Sequence, residues 1–154
     1  PLVPIVASYV LMVYLILHRA KKNYLNWFQD ENNRGEVYYA FSFGTLLLIM
    51  DILDGNYWET RNIFIPLLPI YYMSFGDGVT GIIRNYVYKR RVKGFWGSVG
   101  MAAVSIPLGF YFFGIPGAVS GAVATLSEIL PFIDDNIAVP FFSFTFLYLA
   151  IKVF

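Results

Sequence analysis

Residues 94–127 read GFWGSVGMAAVSIPLGFYFFGIPGAVSGAVATLS, 34 positions without one charged side chain. As a single helix rising 1.5 Å per residue, the stretch would be about 51 Å long, against a hydrocarbon core of roughly 30 Å. Gly114-Ile115-Pro116-Gly117 is the turn signal inside it. The reading is two membrane spans, about Phe95 to Phe113 and Gly117 to Leu130, with Pro131 ending the second.

Working outward, a link at Ile133-Asp134-Asp135-Asn136 leads to a last span, Ile137 to Phe154. Upstream, Ile63 to Phe75 is a short span containing Pro66 and Pro69. It runs into Gly76-Asp77-Gly78, which is expected to bend or break the helix. Glu36 to Leu53 carries its charges only at its ends, and Leu2 to Leu17 carries none. Residues 1–17 lack a basic stretch before them and a small-residue cleavage site after them, so they read as a span and not a signal peptide. Asn23 to Arg34 is a polar loop with Trp27 and Phe28 near the membrane surface. The fold class is all-α: one domain, 1–154, a polytopic membrane bundle of five to six transmembrane helices.

Composition agrees. Hydrophobic residues make up 58%, aromatic 19% and charged only 14% of the chain, where a soluble domain carries about 25% charged. There are no cysteines, which excludes disulfides and thiolate metal sites. Charge placement sets orientation. Of 11 Lys and Arg residues, nine fall in two clusters, Arg19, Lys21, Lys22 and Arg34, then Arg84, Lys89, Arg90, Arg91 and Lys93. With both clusters cytoplasmic, Asp51 to Glu59 and the Gly114 turn lie outside. Asp77 and the Glu128 to Asn136 region lie inside, so the notable polar residues share the cytoplasmic helix ends.

Three features there carry chemistry. Asp77 stands between two glycines at a span end, where an acid at membrane depth is costly and usually functional. Gly76 and Gly78 would let backbone N–H groups turn toward an anion; the plainer alternative is a helix break with Asp77 as a cap. Arg84 to Lys93 holds five positive charges in ten residues, enough to neutralise a triphosphate, or simply a topology signal gripping anionic lipid. Asp77, Arg84 and Arg91 recur every seven residues and share a helical face, as a metal-binding acid in line with guanidinium groups would. Glu128, inside a span, is followed by Asp134, Asp135 and Asn136, oxygen groups suited to Mg²⁺ or to accepting a proton. The alternative for the last three is helix capping, with Asp135 or Asn136 starting the final span.

No His/Cys metal spacing, Walker-type loop or serine elbow is present. His18 reads as an interfacial side chain, the Tyr and Trp residues as aromatic belts, and Gly117, Ser120, Gly121 and Ala124 as close helix packing.

Gly76-Asp77, the basic stretch, Lys93, Gly97-Ser98, Glu128, Asp135-Asn136 and Pro140 together resemble the CTP-dependent polyprenol kinases, the dolichol kinase and phytol kinase group. The likeness spans about Glu36 to Pro140, is densest from Met73, and includes Gly35-Glu36-Val37-Tyr38. Where the family shows Lys-Thr/Ser-x-Glu-Gly-Ser, this chain has Lys93-Gly94-Phe95-Trp96-Gly97-Ser98, without the hydroxyl residue and the acid. Glu128 then stands as the principal acid of its neighbourhood. A basic Arg-Lys…His segment of the family is not visible here, and the resemblance implies a further N-terminal helix to carry it.

The resemblance implies transfer of the γ-phosphoryl group of CTP to the terminal hydroxyl of an isoprenoid alcohol, with Mg²⁺ as cofactor. Asp77, Asp134 and Asp135 are the expected metal ligands, and Asp77, Glu128 and Asp135 the catalytic acids, Glu128 as a third acid or the general base. Gly76, Gly78, Arg84, Lys89, Arg90, Arg91, Lys93, Gly97, Ser98 and Asn136 would hold the nucleotide. The partners are the lipid alcohol, CTP and membrane lipids, with no nucleic acid. The membrane would be the plasma membrane in a prokaryote and the endoplasmic reticulum in a eukaryote. Two rivals remain: a membrane cytidylyltransferase, which would release pyrophosphate, and a transporter subunit, which the crowding of polar residues at one face disfavours.

Overall fold

The computed structural model describes residues 2–22, 34–88 and 94–153, and these contain helices and no strand. Helix α1 (Leu2–Ala20) and helix α2 (Gly35–Leu53) pack side by side. Gly44 lets them approach, since a Cβ there would stand 3.1 Å from Ser8 Cβ. Two polar bonds cross the seam: Ser8 Oγ donates to the Ala40 carbonyl at 2.6 Å, and the hydroxyls of Tyr9 and Thr45 meet at 3.0 Å. Bonds of this kind between membrane helices average about 0.6 kcal/mol. At one end of the pair Arg19 and Glu36 form a 2.6 Å ion pair.

Two short 3₁₀ turns, Tyr57–Glu59 and Arg61–Ile63, lead from α2 into α3 (Phe64–Tyr71). The chain does not break at Gly76-Asp77-Gly78 as its glycines lead one to expect. It stays helical through a π turn, Tyr72–Gly76, into α4 (Asp77–Tyr88), with Asp77 at φ −66°, ψ −37°. The irregularity therefore sits one turn early, as a wider winding that takes in an extra residue. Gly76 serves packing at that point, because a Cβ on it would run into Met101.

Helix α5 (Phe95–Glu128) is where the long uncharged stretch turns back on itself. Phe113 (φ −134°, ψ 17°) and Gly114 (φ 59°, ψ −136°) leave helical geometry. The turn opens at Phe113–Gly114, at the front edge of the expected Gly114–Gly117 signal, and Pro116 falls in the first turn of the second arm, where a missing N–H costs nothing. The two arms are antiparallel. Gly109 meets Gly117 and Ser105 meets Gly121, four and eight residues either side of Phe113, and Ser98 meets Glu128 at fifteen. The first arm's C-terminal carbonyl on Phe112 accepts from Arg61 Nη2 at 2.6 Å, a cation where the helix dipole favours one.

Helix α6 (Asp135–Val153) packs against α5, α2 and α3 and closes the bundle. Pro140 has no N–H for the Asn136 carbonyl one turn back. Ser42 of α2 supplies the missing donor at 2.5 Å. Leu46, Leu47, Leu68, Met101, Ala124 and Leu147 form the centre of the core.

The outside of the bundle is apolar: Val3, Val10, Phe110, Tyr111 and Leu149 are all exposed. Such a surface fits lipid and not water. Four helices, α1, α2, α5 and α6, are long and apolar enough to cross a membrane, and the doubling back of α5 brings the passes toward the expected five to six. The chain is an all-α integral membrane protein.

At the turn end, Tyr57 is fully buried and its hydroxyl has no hydrogen-bond partner among the described residues. Burial, helped by the charge of Asp51, raises its pKa above the ordinary phenol value. The unfolded chain thus releases this proton first. The stabilising difference is intact below the ordinary tyrosine pKa and is lost as pH climbs through the folded one. Tyr57→Phe removes both the orphan hydroxyl and the titration. It is expected to match or exceed wild-type stability by up to about 1 kcal/mol, with a smaller alkaline loss of Tm in detergent.

Candidate functional site at the open end of the α5 hairpin

Opposite the Phe113–Gly114 turn, polar contacts tie α4 to the start of α5, the start of α5 to its end, and the start of α6 to α2. Glu128, the last residue of α5, is 1% exposed, and Ser98 Oγ donates to its Oε2 at 3.2 Å. The hairpin is what sets this pair, because closing the chain at Phe113 returns residue 128 to the level of residue 98. From α4, Thr80 Oγ1 donates to the Gly97 carbonyl at 3.1 Å. Thr80 lies one turn beyond Asp77 on the same helix, so this bond fixes the half-buried Asp77 relative to the Gly97-Ser98 turn.

At the start of α6, Asp134 is the cap. Its Oδ1 accepts from the Asn136 backbone N–H at 2.9 Å and from Asn136 Nδ2 at 3.0 Å. The capping residue is thus Asp134, one position before Asp135, which occupies the first helical turn. The Asn136 carbonyl bonds Ser42, so this helix start is anchored to α2. The Arg19–Glu36 pair lies at the same end of α2, with the two side chains 15% and 7% exposed.

Several expected roles change once the geometry is known. Gly76 is buried against Met101 and Ser105, in a helix interface and not in a phosphate cradle. Gly78 is exposed, with nothing among the described residues within 4 Å of a would-be Cβ, and keeps an open backbone face beside Asp77. The backbone N–H groups of Gly97 and Ser98 both bond the Gly94 carbonyl, at 2.9 and 3.3 Å, so the donor Ser98 offers is its hydroxyl, aimed at Glu128. Lys89, Arg90, Arg91 and Lys93 lie outside the described residues, as does the side chain of Arg84.

Among the described residues, no three His, Asp or Glu side chains gather to hold a metal, so Asp77, Asp134 and Asp135 are not a preassembled three-carboxylate cage. The chemistry of the donors still fits Mg²⁺ carried by a nucleotide. That ion keeps several waters and takes one or two protein carboxylates together with substrate phosphates. Asp77 and Asp135 are carboxylates that could serve in that role.

Thr80, Ser42 and the Arg19–Glu36 pair are the contributors that sequence reasoning missed as parts of this end. Only Ser42 had a signal, in Pro140, which announces an unpaired carbonyl four residues earlier. Compared with protein-family models, curated proteins and solved structures, the chain matches none.

Proposed function

We propose that the protein is a membrane phosphotransferase that moves the γ-phosphoryl group of CTP to the terminal hydroxyl of an isoprenoid alcohol, dolichol or a related polyprenol. The observation that carries the reading is the buried Glu128 carboxylate held by Ser98 at the same bundle end as Asp77 and Asp135. A buried acid at this depth is expensive, which favours a chemical role over a purely structural one. The choice of CTP and of an isoprenoid acceptor rests on the resemblance of Gly76-Asp77, Gly97-Ser98, Glu128, Asp135-Asn136 and Pro140 to the polyprenol kinases.

Phosphoryl transfer needs positioning and charge neutralisation more than covalent help from the protein. The acceptor's tail stays in the bilayer and its hydroxyl reaches the interface, while the nucleotide arrives from water. Glu128 accepts the proton of that hydroxyl as its oxygen bonds the γ-phosphorus. The bond from the γ-phosphorus to the β–γ bridging oxygen breaks, and CDP leaves. Arg84, Lys89, Arg90, Arg91 and Lys93 neutralise the phosphates, with Gly78 giving room at the backbone and Asn136 orienting Asp135. Mg²⁺ entering with CTP would be held by Asp77 and Asp135 and would screen the phosphate charge. With both basic clusters cytoplasmic, this end faces the cytoplasm.

The test is transfer from γ-labelled CTP, ATP, GTP or UTP to polyprenols in detergent, with and without Mg²⁺. Label is expected in the lipid phase with CTP and only with Mg²⁺. Label confined to the water phase with every nucleotide would sink the proposal. Cytidine entering lipid with release of pyrophosphate would replace it with a cytidylyltransferase.

A further inference from the structure

The first arm of α5 presents Phe95, Ser98, Val99 and Ala102 at the spacing that shares one helical face. With Gly94 and Ile129 they line an open-sided groove of about 400 Å³. Phe95 is 73% exposed, Val99 40% and Ile129 49%. At the end of a helix that crosses a bilayer, such apolar exposure faces the edge of the lipid layer. Among the described residues, Ser98 is the one lining side chain with a polar atom, and that atom bonds the buried Glu128 carboxylate. The groove is therefore apolar along its length, open to the lipid, and ends at a hydroxyl backed by an acid.

We infer that this groove holds the part of a lipid alcohol nearest its hydroxyl, entering sideways from the bilayer, with the hydroxyl delivered to Ser98 and Glu128. The fate of the hydroxyl rests on the phosphotransferase reading. A water-soluble ligand would need polar groups along the walls, and the described lining offers one. Size decides how much of the lipid is read. From Phe95 to Ala102 the helix rises about 10 Å, and the volume is at the lower end of pockets that enclose drug-sized molecules. A long polyprenol cannot fit inside. The groove thus reads branching and saturation in the first units beside the hydroxyl and leaves the rest of the chain in the membrane. Ser98 is a positioning residue for the acceptor, and Val99 and Ala102 set selectivity.

The test uses the whole chain in lipid nanodiscs and a short isoprenoid alcohol carrying a diazirine next to its hydroxyl. After irradiation, labelled peptides are mapped by mass spectrometry. Labelling is expected within residues 95–102 and at Ile129, displaced equally by short and long polyprenols and not by added phosphatidylcholine. Ala102→Trp fills the groove and is expected to cut labelling about tenfold or more. Val99→Trp, on the lipid-exposed wall, gives the same readout should Ala102→Trp fail to fold. Labelling elsewhere, displacement by phosphatidylcholine as readily as by alcohol, or unchanged labelling in a folded Trp variant overturns the inference. Groove labelling without phosphorylation leaves the lipid site standing and removes the kinase reading, whereas phosphorylation with labelling elsewhere does the reverse.

Discussion

Glu128→Gln is expected to lower the turnover of lipid phosphorylation by about 10²- to 10⁴-fold, the usual worth of a positioned general base. Glutamine keeps the size of the side chain, and its carbonyl oxygen still accepts from Ser98, so the hairpin keeps its register. What is lost is the ability to take a proton. KM for CTP is expected to change little, because the role assigned to Glu128 is to take the acceptor's proton and not to hold the phosphates. Asp77→Asn separates from this. It removes a charge assigned to the metal-bearing nucleotide, so activity is expected to vanish at ordinary Mg²⁺, with the CTP and Mg²⁺ requirements of any residual activity raised together. Steady-state kinetics against CTP, Mg²⁺ and alcohol distinguishes the two roles. Wild-type turnover in Glu128→Gln would end its assignment as the base, and an unchanged Mg²⁺ requirement in Asp77→Asn would end the metal role.

The residues that were legible in the sequence are those whose chemistry clashes with their surroundings. Gly114 and Pro116 interrupt 34 uncharged residues and marked the hairpin to within a residue or so. Glu128 closes that same stretch, and a carboxylate at that position is conspicuous. Gly76 shows the limit of such reading. A glycine beside an acid reads as a break or an anion cradle, yet the chain winds on as a π turn and the missing side chain makes room for Met101. A π turn differs from an α turn by which carbonyl each N–H meets, and that choice leaves no mark in composition. Thr80 was silent for a related reason, and for Ser42 the one signal was Pro140, which announces an unpaired carbonyl but not its donor. A lone hydroxyl in an apolar helix usually bonds its own backbone one turn back, as Ser74 and Thr125 do here. Only tertiary packing reveals that Thr80 and Ser42 bond other helices instead.

The largest stability effects are expected at the crossing of the α5 arms. A Cβ on Gly109 would overlap the Gly117 carbonyl oxygen, and one on Gly117 would overlap that of Gly109. Both obstacles are backbone, so no rotamer change relieves them. Overpacking a core by one methyl already costs about 1–3 kcal/mol where side chains can shift. Gly109→Ala and Gly117→Ala are therefore expected at or above the top of that range. Gly114→Ala has open space around it but a φ of +59° and an extended negative ψ, so its cost, about 1–3 kcal/mol, comes from backbone strain alone. Gly81 supplies the control. It sits in α4 with nothing among the described residues within 4 Å, so Gly81→Ala is expected to stabilise by about 0.5–1 kcal/mol through helix propensity. Thermal unfolding in detergent would rank the four. Equal behaviour of Gly109→Ala and Gly81→Ala would mean the arms do not touch as described. The consequence reaches the site, because the same crossing brings residue 128 back to residue 98. Any variant that pushes the arms apart at Gly109 is expected to lose lipid phosphorylation along with stability. Gly81→Ala, which leaves the crossing alone, is expected to gain stability and keep the Ser98–Glu128 contact.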